Sequence, residues 1–249
     1  YKMSSLSLLR AHARAGFLDL VRWPGYVVPT ILFPAMFFAL FDLPFARMRA
    51  DVANATTLAF VAFAIVGVAL YQFGVGIAQE RGRPWERYLR TLPVSTAVRF
   101  AARIVTALCF GVLTAAAVVL VACAFTPIDL TVAAWLRVLA YALYGGVPFV
   151  LIGIAIGYLT SARAAVPIAT ACNLLLAYAG GLWLPPGDLP KVVQTISPWL
   201  PTRALADLLW SVTGDGNALR GIAVLAVYTV LFAIIAAIGY RRDEQTRYA

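Results

Sequence analysis

Six stretches of this sequence are long and almost wholly apolar, and they limit what the chain can fold into. They run roughly over 24–41, 52–78, 104–127, 138–160, 164–184 and 221–240. A helix of about 20 residues covers the ~30 Å hydrocarbon core of a bilayer, and each stretch is near that length. Charged residues make up 12% of the chain and hydrophobic ones 62%. Soluble domains carry about 25% charge, so water is a poor solvent for this composition and a membrane a natural one. The expected fold class is an all-α integral membrane protein with six transmembrane helices. Translation is expected to start at Met3. No cleavable signal peptide is expected, because the first apolar stretch is already long enough to span.

The basic residues give an orientation. With both termini cytoplasmic, the inner side carries Lys2, Arg10, Arg14, Arg22, Arg81, Arg83, Arg87, Arg90, Arg99, Arg103, Arg163, Arg241, Arg242 and Arg247. The outer loops carry Arg47, Arg49, Arg137, Lys191, Arg203 and Arg220, balanced by aspartates 42, 51, 129, 188, 207 and 215. The whole net charge of +9 then lies on one side, as the positive-inside rule requires. That face suits anionic headgroups and a partner, without any call on nucleic acid.

The missing chemistry narrows the function. His12 is the one histidine, which leaves histidine metal sites and serine–histidine hydrolysis without support. Cys109, Cys123 and Cys172 fall inside apolar stretches with no metal-ligand spacing, and read as small core residues. No metal site and no catalytic residue is expected. No phosphate-binding Gly-x-x-x-x-Gly-Lys-Ser/Thr loop is present, so ATP is not held by that route. No Asp, Glu, Lys or Arg lies near the middle of a proposed span, where ion-driven carriers place them despite the cost. Neutral or amphipathic cargo fits better, moved by fuel from outside the chain.

Segment 4–22 repeats Leu6, Leu9, Ala13, Phe17 and Leu20 at three- and four-residue steps, with Arg10 and Arg14 opposite. It reads as an interfacial amphipathic helix or as a plain basic anchor. Gly153-x-x-x-Gly157 in the fourth span would admit another helix closely. Between the fifth and sixth spans, segment 183–210 is apolar yet broken by Pro185, Pro186, Pro190, Pro198 and Pro201. With Trp183, Leu189 and Trp199 it is too broken to span and too apolar for water. Two short helices that dip into the outer leaflet or cap the bundle satisfy both facts.

The most charged segment lies between the second and third spans: QERGRPWERYLRTLPVS, residues 79–95. Pro84 suits a helix first turn. Trp85, Tyr88, Leu89 and Leu92 follow at i, i+3, i+4 and i+7 and form one apolar face, with Glu86, Arg87 and Arg90 on the other. Pro93 ends the helix. So short a helix is unstable alone in water and must rest on headgroups or in a protein groove.

Glu80-Arg81-Gly82, the Trp85–Leu92 helix and Leu92-Pro93-Val94-Ser95 resemble the cytoplasmic loop of type-two ABC export permeases, drug, lipid and polysaccharide exporters among them. Gly180-Gly181-Leu182-Trp183-Leu184-Pro185, Leu189-Pro190 and Pro198 to Thr202 are similar to that family's outer re-entrant stretch, and the likeness covers residues 4–242. The resemblance implies a single permease domain over 1–249: an interfacial helix at 4–22, six spans, a coupling loop at 80–95 and a re-entrant segment at 183–210 before the last span. It implies two paired permease subunits, each bound to a cytoplasmic ABC ATPase that holds ATP and Mg; a homodimer is preferred over a heterodimer, and the sequence leaves both open. The coupling helix would sit in a cleft of that ATPase, with Trp85, Tyr88, Leu89 and Leu92 packing and Glu80, Arg83, Glu86 and Arg87 making polar contacts. Gly82 and Pro93 would bracket it. Trp183, Pro185, Pro186, Leu189, Pro190, Pro198, Trp199 and Pro201 would form an outer gate. Cargo in such exporters ranges over drugs, lipids, glycolipids, polysaccharides and ions, and the setting is the bacterial inner membrane. An ion-gradient-driven carrier and a non-transporting scaffold stand as alternatives.

Overall fold

The structure is a computed structural model that describes residues 5–22, 24–81 and 96–248. Among the described residues there is no strand, and six helices are long and apolar enough to cross a membrane: Val27–Ala46, Ala50–Glu80, Phe100–Phe125, Val132–Leu159, Ala162–Ala179 and Ala218–Asp243. These are called the first to sixth spans. A separate N-terminal helix, Ser5–Val21, precedes them.

The second span is the axis of the bundle. Every residue from Thr57 to Val66 is buried, as expected of a helix that is apolar all round. Phe38 of the first span and Phe60, Phe63 and Trp183 continue edge to face, with ring centroids 5.6, 5.9 and 5.5 Å apart. This aromatic column joins the first and second spans to the segment after the fifth. The outward faces of the peripheral spans keep large apolar residues such as Leu120, Leu175 and Val227 exposed, which suits contact with lipid tails.

Both of the first two spans contain a π-helical turn, Phe38–Asp42 and Leu70–Val75. Such turns insert a residue and widen the helix, often at functional positions. The second of them meets the fourth span at its glycines. A Cβ built on Gly153 would lie 2.5 Å from the Ala69 carbonyl oxygen, and one on Gly157 would lie 2.7 Å from Ile77 Cβ. The expected small-residue contact is therefore present, and its partner is the widened turn of the second span. On the far side of that turn the Tyr71 hydroxyl meets Thr170 Oγ1 at 2.8 Å, tying in the fifth span.

Local signals set the helix ends. Thr131 Oγ1 accepts from Ala134 N at 3.2 Å, Ser161 Oγ from Ala164 N at 3.3 Å, and Asn217 Oδ1 from Arg220 N at 2.9 Å. These side chains open the fourth, fifth and sixth helices. The fifth helix stops at Ala179 rather than running on to Leu184. Gly181 takes a left-handed φ of 76° there, a conformation that turns the chain and that glycine adopts at little cost. Segment 183–210 does contain two short helices, Lys191–Ile196 and Pro201–Trp210. The second is buried along most of its length, while Val192, Ile196 and Trp199 of the first part remain exposed.

Candidate functional site

The loop expected to carry the function begins at the end of the second span. Gly82, Arg83, Trp85, Glu86, Arg87, Tyr88, Leu89, Leu92 and Pro93 lie outside the described residues. The base of the loop is described, and it is tied down on both sides. Glu80 Oε2 accepts from Arg103 Nη2 of the third helix at 2.9 Å. This pair is partly exposed, so it is worth little as stability, about 0–1 kcal/mol. It does join the end of the second span to the third helix, on either side of the loop.

Arg81 is held far more firmly. Its Nη1 donates to the Tyr158 carbonyl at 2.8 Å and to Asp243 Oδ1 at 2.9 Å, and its Nη2 donates to the Thr160 carbonyl at 2.5 Å. The side chains of the ion pair are only 14% and 6% exposed. The two carbonyls are at the C-terminal end of the fourth helix, where backbone acceptors have no partner within the helix and the dipole favours a cation. The guanidinium also lies 5.9 Å over the Tyr158 ring. Tyr158, Phe100 and Tyr240 pack on one another at 5.2 to 6.0 Å. One residue at the root of the loop thus fastens the second span to the fourth and the sixth, and the aromatic trio adds the third. The knot thereby joins four spans.

At the other end of the molecule a second buried charge fixes the helix Pro201–Trp210. Asp207 is 2% exposed and accepts from Arg203 Nε at 2.9 Å and from Arg220 Nη2 of the sixth span. Arg203 also stacks 5.3 Å over Trp210. Trp210 Nε1 donates to the Ala55 carbonyl at 2.9 Å, and Thr202 Oγ1 to the Leu176 carbonyl at 2.6 Å. The helix is therefore fastened to the second, fifth and sixth spans. Among the expected gate residues, Leu189 and Pro201 are buried here, Trp183 joins the aromatic column, and Pro185, Pro190 and Trp199 face outward.

The sequence reading missed Arg81–Asp243 and Asp207–Arg220. The first pair is 162 positions apart, and no local spacing reveals it. Asp207 does stand four residues after Arg203, a spacing that suggests a helical ion pair. It gives no sign that the pair is buried.

A polytopic helical membrane protein, with the end of its second span anchored by a buried ion pair, is the class this geometry defines. The sequence profile of the ABC-2 type transporter family matches residues 7–213, most of the chain, and the protein belongs to that family. It is similar to YvfS of Bacillus subtilis (strain 168), itself named only as a candidate transport permease, with 26% identity over 188 residues, 75% of this chain and 77% of the relative. Family membership makes the chain a transport permease rather than a catalyst, and implies an ABC ATPase partner and a membrane.

Proposed function

We propose that the chain is the membrane-spanning subunit of an ATP-driven exporter in a bacterial inner membrane. Two permease subunits pair, each with a cytoplasmic ATPase that binds ATP and Mg. Loop 80–95 docks on that ATPase through Trp85, Tyr88, Leu89 and Leu92, with Glu80, Arg83, Glu86 and Arg87 as polar contacts. Both termini are cytoplasmic. Closure of the ATPases moves the loop, and the knot at Arg81 passes the movement to the spans. Cargo is hydrophobic or amphipathic, a drug, lipid or glycolipid, and segment 183–210 gates its outward release.

The observation that carries this reading is the rooting of the loop. A loop that merely floated on headgroups would need no buried ion pair and two carbonyl bonds at its first residues. The lack of Asp, Glu, Lys or Arg near the middle of the spans favours an external fuel over an ion gradient. The test is co-purification of the permease with its ATPase after Leu89→Asp and Leu92→Asp. We expect intact membrane insertion and loss of the ATPase. Undiminished co-purification would remove the docking assignment.

A further inference from the structure

An apolar groove of about 530 Å³ runs between the N-terminal helix and the third span. One wall comes from Arg14 and Phe17, the other mainly from Val105, Cys109, Leu113 and Ala116. The third-span positions recur at steps of three and four, so they share one helix face. From Val105 to Ala116 that face is about 16 Å long at 1.5 Å per residue. The length is close to one leaflet, half of the ~30 Å hydrocarbon core.

The two helices touch at one edge of the groove. The single Thr106 hydroxyl hydrogen is shared between the Ala102 carbonyl at 2.9 Å and the Ala13 carbonyl at 3.2 Å, and Phe17 meets Phe110 at 5.8 Å. The Thr106 hydroxyl is thereby satisfied within the protein, and the rest of the lining is apolar apart from Arg14. The Ala13–Thr106 bond sets Arg14 level with the start of the third span, just past Arg103 in the sequence. Arg14 is exposed, and among the described residues no acid or other acceptor pairs with it.

We propose that this groove is a binding site for one anionic phospholipid. Arg14 holds the phosphate, and one acyl chain lies along the face from Val105 to Ala116. Charge complementarity selects the occupant. Among the described lining residues Arg14 is the one cation, and a cation on an otherwise apolar, leaflet-length channel matches a ligand with one anionic end and one hydrocarbon tail. A free phosphate would leave the channel empty. A second copy of the chain would have to bring both an apolar ridge and an acid to Arg14. Lipid binding is read on the permease without any ATPase present, so the proposal stands or falls independently of ATPase docking.

Two native thiols make the test internal. Cys109 lies in the groove, and Cys123 is exposed on the same helix outside it. The full chain in detergent is labelled with an uncharged maleimide while phosphatidylglycerol, phosphatidylcholine or inorganic phosphate is added. Retained lipid is counted in parallel by native mass spectrometry. Phosphatidylglycerol is expected to slow Cys109 labelling severalfold relative to Cys123 and to leave one lipid per chain. Phosphatidylcholine should do much less, and phosphate nothing. Arg14→Gln should erase the difference between the two lipids, and Leu113→Trp, which fills the groove from an exposed position, should remove retention with Arg14 intact. Equal protection by both lipids in the wild type would overturn the proposal. So would protection that follows self-association without lipid, or no protection at all.

Discussion

Alanine at Gly153 tests how the second and fourth spans meet. The added Cβ would sit 2.5 Å from the Ala69 carbonyl oxygen and 2.9 Å from Phe73 Cβ. Ordinary contact needs at least 3.4 Å, so the helices must part by nearly 1 Å or the π-helical turn must rewind. Neither neighbour is a flexible side-chain tip. Overpacking a tight contact costs about 1–3 kcal/mol, and the carbonyl clash places Gly153→Ala toward the upper part of that range. Gly157→Ala meets Ile77 Cβ at 2.7 Å and the Phe73 carbonyl at 2.8 Å, so it should cost a similar amount. The two share one seam, and separation for one relieves the other, so the double variant should fall short of the sum. Gly76→Ala is the control: nothing lies within 4 Å of its Cβ, and loss of glycine freedom should be neutral or stabilising by about 0.4–1 kcal/mol. Unfolding of purified protein in mild detergent, followed by tryptophan fluorescence against added SDS, reads all four. Equal destabilisation by Gly76→Ala and Gly153→Ala, or full additivity of 153 and 157, would refute the reasoning.

Three further outcomes follow from the charges. Arg81→Gln removes an ion pair and two carbonyl bonds, and breaking a buried pair from one side costs about 3–5 kcal/mol; the same detergent titration should show it, and ATPase stimulation by cargo should fall further than ATPase binding. Arg81→Lys should recover only part of either, because a single ammonium cannot reproduce the guanidinium's fork toward Tyr158, Thr160 and Asp243. Asp207→Leu leaves two arginines around a vacated carboxylate site, so it should destabilise by a similar about 3–5 kcal/mol, with restoration toward wild type on adding Arg220→Leu, measured by the same unfolding curve.

The spans were legible because a bilayer demands long apolar runs, and little else in a sequence produces them. Gly153 and Gly157 were legible for a related reason: glycine repeated every fourth residue leaves a smooth helix face. What that face meets was not, since the widened turn at Leu70–Val75 has no sequence mark beyond Gly74 inside it and Gly76 just after. The end of the fifth helix was misplaced because Leu182, Trp183 and Leu184 continue the apolar run after Gly181 has already turned the backbone. Hydropathy reads side chains and does not see φ. The buried ions were hidden for a different reason. Asp207, Arg203 and Arg220 look like ordinary loop charges until the helix Pro201–Trp210 packs into the bundle, and Asp243 looks like part of a solvated tail until Arg81 reaches it. The loop residues from Gly82 to Pro93 rest on periodicity and on the family resemblance.

A cysteine at Leu89, with Cys109, Cys123 and Cys172 replaced by serine or alanine, gives the most direct test of docking. The permease and its ATPase are assembled in one vesicle and treated with a short thiol cross-linker, with the ATPase carrying single cysteines around the cleft beside its nucleotide site. Cross-links from position 89 to that cleft, changing in yield between ATP-bound and nucleotide-free states, are the predicted result. A thiol that cross-links to nothing in a transporting complex and is quenched by headgroup-level lipid probes would contradict it.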